Sequence, residues 1–253
     1  MYVSVRNKWN KFWASLALLS VDVIIILVLF LTSLIAFVWI AKYVFLDDKT
    51  AFDDAAFSFL QTWVSDINTN VMNAFTLLGK VEFLLPAHLV LTLWFLFVRK
   101  HRWYTIKVPV IGLSSGLIMV GLKSLFGRER PLIPLLEPVG GLSFPSGHAL
   151  CSMTFYGLII YFLWNRIKHP FWRWAMVFIL SLVIIIIGVS RVYLRVHHAS
   201  DVIAGFALGL IWLVISLKIL RNIENYSKRK VAPKIGYGET PTVQSSIEEK
   251  TPA

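Results

Sequence analysis

The chain has 253 residues, 57% of them hydrophobic and only 15% charged, with a mean hydropathy of +0.69. Soluble domains hold about 45–50% apolar residues, so the composition excludes a soluble globular protein. The net charge of +11 does not indicate a nucleic-acid partner, because the basic residues fall mostly between hydrophobic runs, as in the cytoplasmic loops of membrane proteins. Cys151 is the only cysteine and lies in an apolar run, which rules out an internal disulfide and a cysteine metal cluster.

In chain order, a basic segment over residues 1–20 precedes the first apolar run. No small-residue cleavage site follows that run, which is also too long for a signal sequence, so it reads as an uncleaved span. Six runs approach the roughly 20 residues needed to cross a hydrocarbon core. They are Asp22–Val44, Val81–Val98, Val108–Phe126, Ser146–Trp164, Arg173–Val189 and Val202–Leu220. Backbone polar groups cannot be left bare in lipid and no strand-period alternation competes, so each run is predicted to be helical. The first connection, Leu46–Lys80, places Phe57, Leu60, Trp63, Val64 and Ile67 at helical spacing, which predicts an amphipathic helix along the outer interface. Residues 227–253 turn polar, with Pro233, Gly236, Gly238 and Pro241, and read as a disordered cytoplasmic tail. The expected fold is all-α: a polytopic bundle of six transmembrane helices over residues 21–226, with one outer interfacial helix.

Charge sets the expected orientation. Basic residues crowd the N-terminal segment (Arg6, Lys8, Lys11), the second connection (Arg99, Lys100, Arg102, Lys107), the fourth (Arg166, Lys168, Arg173) and the tail. The first connection instead carries Asp47, Asp48, Asp53, Asp54 and Asp66. Both termini are thus expected in the cytoplasm, with the first, third and fifth connections outside. Lys123, Arg128, Arg130, Arg191 and Arg195 break this rule together, at the outer face. An anion held in that layer is the simplest reason.

Three stretches in the same layer carry the chemistry. In the first, Lys123 through Arg128, Arg130 and Pro131, a helix is expected to end at Gly127 with basic groups beyond it. In the second, Pro145-Ser146-Gly147-His148 opens the fourth span and leaves backbone N–H groups free at the positive end of a helix dipole, a ready anion site. The third runs from Ser190-Arg191 through His197 and His198 to Asp201. Its charges sit at the joint of two membrane-length runs, where such groups are costly unless functional. His197 and Asp201 are four residues apart and share one face of a helix, a spacing that lets a carboxylate hold an imidazole. Taken singly, each stretch is equally a capped helix end or a basic loop.

Together the three blocks resemble the signature of the type 2 phosphatidic acid phosphatase superfamily of integral membrane lipid phosphatases. The family pattern Lys-x6-Arg-Pro matches Lys123 to Arg130-Pro131, Pro-Ser-Gly-His matches Pro145–His148, and Ser-Arg-x5-His-x3-Asp matches Ser190-Arg191, His197 and Asp201. The resemblance is strong over Lys123–Leu220 and fainter in Thr76–Gly79. It implies that His197 attacks phosphorus to form a phosphohistidine while Asp201 holds its other ring nitrogen. His148 then protonates the leaving group and afterwards activates water. Lys123, Arg130 and Arg191, with Ser146 and the Gly147 amide, bind the phosphoryl oxygens. It implies neither a cofactor nor a metal, a lipid phosphate as substrate among membrane lipids, and no obligate protein partner. The implied location is a bacterial plasma (inner) membrane, with the active site facing outside.

The chain departs from many relatives in carrying His198-Ala199 where an aromatic residue and proline follow the histidine. His198 is a candidate for the site mouth, and Arg128 and Arg195 are candidates for a second phosphate. These two spare arginines tilt the expectation towards undecaprenyl diphosphate over phosphatidylglycerophosphate, phosphatidate or lipid A. Two other readings stay open. A lipid phosphotransferase would pass the same phosphohistidine to a lipid hydroxyl, and a channel or transporter with a basic vestibule would not need His197 at all.

Overall fold

The computed structural model of the chain describes residues 21–131, 134–135 and 140–231. The expectations for residues 1–20 and for the tail beyond Val231 concern residues outside that range. Among the described residues there is no strand, and six helices are long and apolar enough to span a membrane.

The helices are α1 (Val21–Phe45), α2 (Ala51–Gln61), α3 (Asp66–Leu77), α4 (Val81–Leu93), α5 (Arg102–Phe126), α6 (Gly147–Trp164), α7 (Pro170–Tyr193) and α8 (Ala199–Tyr226). The helix α4 continues into a π-helical turn over Trp94–Val98. Local chemistry sets the ends. Pro170 occupies the first turn of α7, where its missing N–H costs nothing. Gly127 closes α5 with a left-handed φ of 63°, and its N–H reaches the Lys123 carbonyl at 3.1 Å. Helices α5, α7 and α8 begin or end several residues beyond the apolar runs. Hydropathy marks the part of a helix that dwells in lipid, whereas the backbone ladder runs on into polar surroundings. Arg191 therefore lies in a last helical turn and Asp201 in a first turn, and Lys123 lies in the last turn of α5.

The connection before α4 differs from the single interfacial helix expected. It forms two helices, α2 and α3, separated by a turn and capped at Ser65, whose hydroxyl accepts from the Asn68 N–H at 3.2 Å. Phe57 and Leu60, with Ala56, face inward onto Ala149, Val192, Ala199 and Val202. Trp63, Val64 and Ile67 stay exposed. Tyr193 ties α3 to the end of α7, its hydroxyl lying 3.0 Å from Thr69 Oγ1.

The helix α6 is central, with Ala149, Leu150, Phe155 and Leu158 buried. Lipid tails are as apolar as leucine, so close packing has to supply what the hydrophobic effect supplies in water. Gly205 and Gly209 give that closeness at the α8 face. A Cβ at Gly205 would stand 2.6 Å from the Ser146 carbonyl oxygen, and one at Gly209 2.7 Å from that of Leu150. The Gly-x3-Gly spacing thus lays one backbone against another. The first helix, α1, is the reverse case: most of it is exposed, and Ile40 and Val44 near its end pack with Phe144 and Ala204.

The compact unit that carries every candidate site residue runs to Ser216. The remainder, described to Val231, continues α8 and ends in a π-helical turn, Ser227–Val231, where Lys228 pairs with Glu224 at 2.6 Å.

Candidate active site

The five residues after α7 bring His197 back beneath the helix end. The Val196 and His197 N–H groups both point to the Arg191 carbonyl, at 3.1 and 3.3 Å. Arg195 makes the reversal with a left-handed φ of 53°, a conformation costing a non-glycine residue about 1 kcal/mol. His197 ends 1% exposed.

Its two ring nitrogens meet different surroundings. Nδ1 lies 3.6 Å from Asp201 Oδ2 and 3.5 Å from Ser143 Oγ. The first is too long for a hydrogen bond. Nε2 lies 3.4 Å from Arg130 Nη1. A proton on Nδ1, towards the carboxylate, leaves the Nε2 lone pair on the Arg130 side. Burial holds the imidazole down at about 4, against the upward pull of Asp201. At neutral pH the ring is uncharged and able to act as a nucleophile.

Asp201 itself is saturated. Oδ1 accepts from Arg128 Nη1 at 2.6 Å, and Oδ2 accepts from the Ser143 hydroxyl and from the His198 N–H at 2.8 Å. His198 also turns its Nδ1 towards the same oxygen, at 3.4 Å, and its ring lies 5.8 Å from that of Phe57. The four-residue offset therefore does not single out His197; what distinguishes it is that only His197 lines the cavity.

That cavity, about 1450 Å³, brings together Lys123, Arg130, His148, Arg191 and His197, with Gly147 beside them. Each cation is steered by a neutral partner. Lys123 Nζ donates to the Leu142 carbonyl at 2.6 Å, and Arg130 donates to the carbonyls of Gly141 and Val196 at 3.0 and 2.7 Å. Arg191 Nη1 donates to Thr76 Oγ1 at 2.6 Å. Among the described residues no carboxylate forms an ion pair with these three, so their charge stays available for an anion. His148 Nε2 is buried with no hydrogen-bond partner among the described residues. Beyond the cations the cavity continues between α4 and α5, walled by Leu85, Leu89, Leu113 and Met119.

Four candidates are placed otherwise than expected, the first being His198, which lies off the cavity wall rather than at its mouth. Ser146 is fully buried off the cavity wall and serves as the cap of α6, its hydroxyl facing the Ala149 N–H and its own N–H bonded to the Asp201 carbonyl at 3.0 Å. It shapes the helix end whose Gly147 reaches the cavity, while its own hydroxyl is turned to the helix backbone. Arg128 is taken up by Asp53 and Asp201 behind the histidine, at 2.8 and 2.6 Å. Arg195 turns outward to Gln61. Neither arginine lines the cavity, and the case they made for a diphosphate falls with that.

Other residues had no signal, or a faint one, in the sequence. Ser143 and Asp53 lie in unremarkable contexts and gain meaning only from what they touch. Thr76 and Gly79 belong to the faint upstream resemblance. Thr76 orients Arg191, and a Cβ at Gly79 would come within 3.1 Å of His148 Cδ2 and 2.6 Å of Ile187 Cγ2, so glycine lets α7 and His148 close in. Lys80, also on the cavity wall, was not foreseen.

Residues 103–224 match the PAP2 superfamily. Over 162 residues the chain is 34% identical to phosphatidylglycerophosphatase B of Bacillus subtilis (strain 168), covering 64% of this chain and 77% of that one. This chain belongs to the PAP2 superfamily. It is an integral membrane protein of the lipid phosphatase class. An undecaprenyl-diphosphatase of Sulfolobus acidocaldarius is 38% identical over 101 residues, 40% of this chain and 44% of that relative. Among solved structures, a transmembrane PAP2-type phosphatidylglycerolphosphate phosphatase from Bacillus subtilis superposes with a TM-score of 0.69 at 27% identity, covering 77% of this chain and 96% of that one.

Proposed function

We propose that this PAP2 protein hydrolyses a lipid phosphate through a phosphohistidine at His197, on the outer side of a bacterial plasma membrane. The observation that carries the reading is a cavity in which His148 and His197, with Lys123, Arg130 and Arg191, give way to an apolar trough between α4 and α5. A phosphate fits the first part and a lipid chain the second.

In the first step the His197 Nε2 lone pair forms a bond to phosphorus, and the bond from phosphorus to the lipid oxygen breaks. A protonated His148 gives its proton to that oxygen, and the lipid alcohol leaves. Nδ1–H faces Asp201, which stabilises the positive charge growing on the ring. In the second step His148, now neutral, takes a proton from water, whose oxygen attacks phosphorus. The P–N bond breaks, inorganic phosphate departs and His197 is restored. Lys123, Arg130 and Arg191, with the Gly147 N–H, meet the oxygens of the transferring group, where fixed charge has its largest effect on the rate. These three cations supply the neutralisation that a metal would otherwise give, and chelation by EDTA should leave the rate unchanged.

Phosphatidylglycerophosphate is the substrate to try first, since the B. subtilis relative of that name matches most of its own length; undecaprenyl diphosphate comes second. The test is phosphate release from purified protein in detergent on both lipids, on phosphatidate and on lipid A, with His197→Ala as control. Release that survives in His197→Ala, or is absent with every lipid, defeats the reading. Release without an added acceptor separates a phosphatase from a phosphotransferase.

Orientation and domain extent have their own tests. A Gly140→Cys substitution, at an exposed position with open space around it, made in a Cys151→Ser background, should react with a membrane-impermeant reagent in intact cells. Protection there would place the site on the cytoplasmic side. The domain over residues 21–226 should be sufficient for catalysis, so that truncation after Val231 leaves the specific activity intact.

A further inference from the structure

Asp53 is the one acid of the first connection that the structure buries, at 1% exposure. From the first turn of α2 its Oδ1 accepts the Ser200 N–H at 2.8 Å. Its Oδ2 accepts the Ser200 hydroxyl at 2.7 Å and Arg128 Nη2 at 2.8 Å. The other arm of the same guanidinium, Nη1, reaches Asp201 Oδ1 at 2.6 Å and Ser200 Oγ at 2.7 Å. One arginine thus bridges two buried carboxylates, and the second of these faces His197. A buried carboxylate without such partners is strongly disfavoured, so each member holds the next in place.

Docking of α2 does not need this arrangement. Ala56, Phe57 and Leu60 already pack the helix onto Ala149, Val192, Ala199 and Val202. A docking acid would also have no reason to share its arginine with Asp201. We propose that Asp53 is a positioning residue for the reaction: it divides the charge of Arg128, so that Asp201 stays aligned beneath His197 without being fully neutralised. The proposal rests on His197 being the nucleophile. Asp53 touches neither the cavity nor His197, and acts through Arg128, Ser200 and Asp201.

The relay has a signature that a structural role lacks. Removing the Asp53 charge leaves Arg128 undivided beside Asp201 and lowers the proton affinity of His197. Removing the Arg128 charge raises it. The other groups around His197, namely His198, Arg130, Arg191, Lys123 and His148, are the same in both variants. The experiment compares Asp53→Asn and Arg128→Gln in the full-length protein in detergent, with Phe57→Ala as the control for loosened docking. Expected are ten- to hundredfold losses of kcat in the first two variants, with KM changed less than threefold. The His197 titration, followed by NMR of 15N-histidine-labelled protein, should move to lower pH in Asp53→Asn and to higher pH in Arg128→Gln. Phe57→Ala should lower the melting temperature without moving that titration. Ser200→Ala, which removes one hydroxyl, should cost a fewfold in kcat and serves if Asp53→Asn does not fold. An unshifted titration, or shifts of the same sign, overturns the proposal. So does a wild-type kcat in Asp53→Asn. The NMR arm needs no turnover, so it decides the relay even if no lipid is hydrolysed, an outcome that would defeat the proposed activity instead.

Discussion

The two sides of the His197 ring are built on opposite plans. Behind it, Asp201, Arg128, Asp53, Ser143 and Ser200 satisfy one another at 2.6–2.8 Å or closer, with little capacity left over. In front, Lys123, Arg130 and Arg191 lean on carbonyls and a threonine hydroxyl, and His148 keeps an unpartnered nitrogen. Both sides carry arginine, and Arg128 and Arg130 are only two residues apart. The difference lies in the counter-groups. A guanidinium paired with carboxylates fixes structure, whereas one held by neutral oxygens keeps its charge for a ligand.

That contrast is open to challenge from its centre outward. His197→Ala removes the group both sides serve and should cost about 10⁴-fold or more in kcat. Melting temperature should show that the fold is kept, and radiolabelled substrate should leave no phosphoprotein. On the front side, Arg191→Ala should lower kcat/KM by about 10²–10³-fold, as loss of one preorganised donor typically does. Arg191→Lys should not restore it, because a point charge on a flexible stem cannot reach both Thr76 and a phosphate. The pH profile reports the balance between the sides. Protonated His197 cannot attack, so on the acid side activity falls as pH drops through its value of about 4, close to tenfold for each further unit, while loss of the His148 proton lowers it on the alkaline side. On the rear side, Ser143→Ala removes one hydrogen bond to Asp201 and should cost about 1 kcal/mol, roughly fivefold in kcat. Arg195→Ala, at an exposed side chain turned to Gln61, should change kcat less than about twofold. A large loss there would put Arg195 back in contact with substrate.

Much of this was legible in the residues. Six apolar runs announced the spans, and Gly127, Pro145 and Ser146 marked helix ends that the structure keeps. The front of the site was readable because Lys123, Arg130, His148, Arg191 and His197 recur at fixed offsets. The rear was not. Asp53 sits 75 residues from Arg128 in the chain and 147 from Ser200, and nothing in Ala51-Phe52-Asp53-Asp54 tells which acid is buried. Ser146 was ambiguous for a related reason: a serine at a helix start faces either its own backbone or a ligand, and here its hydroxyl caps α6. The pair Arg128 and Arg130 shows the same limit, since charge and position along the chain are alike while partners are not.

By itself, then, the amino-acid sequence determined that this is a membrane protein of six apolar helices whose signature residues gather in one layer, because the thickness of a bilayer and the helical period are properties of local composition. Only the tertiary structure decided which of those residues face an open cavity and which are spent on one another. Burial and partnership arise from segments far apart in the chain, where α2 closes over the turn between α7 and α8, and the two carboxylates that folding brings to Arg128 hold it in ion pairs away from the cavity.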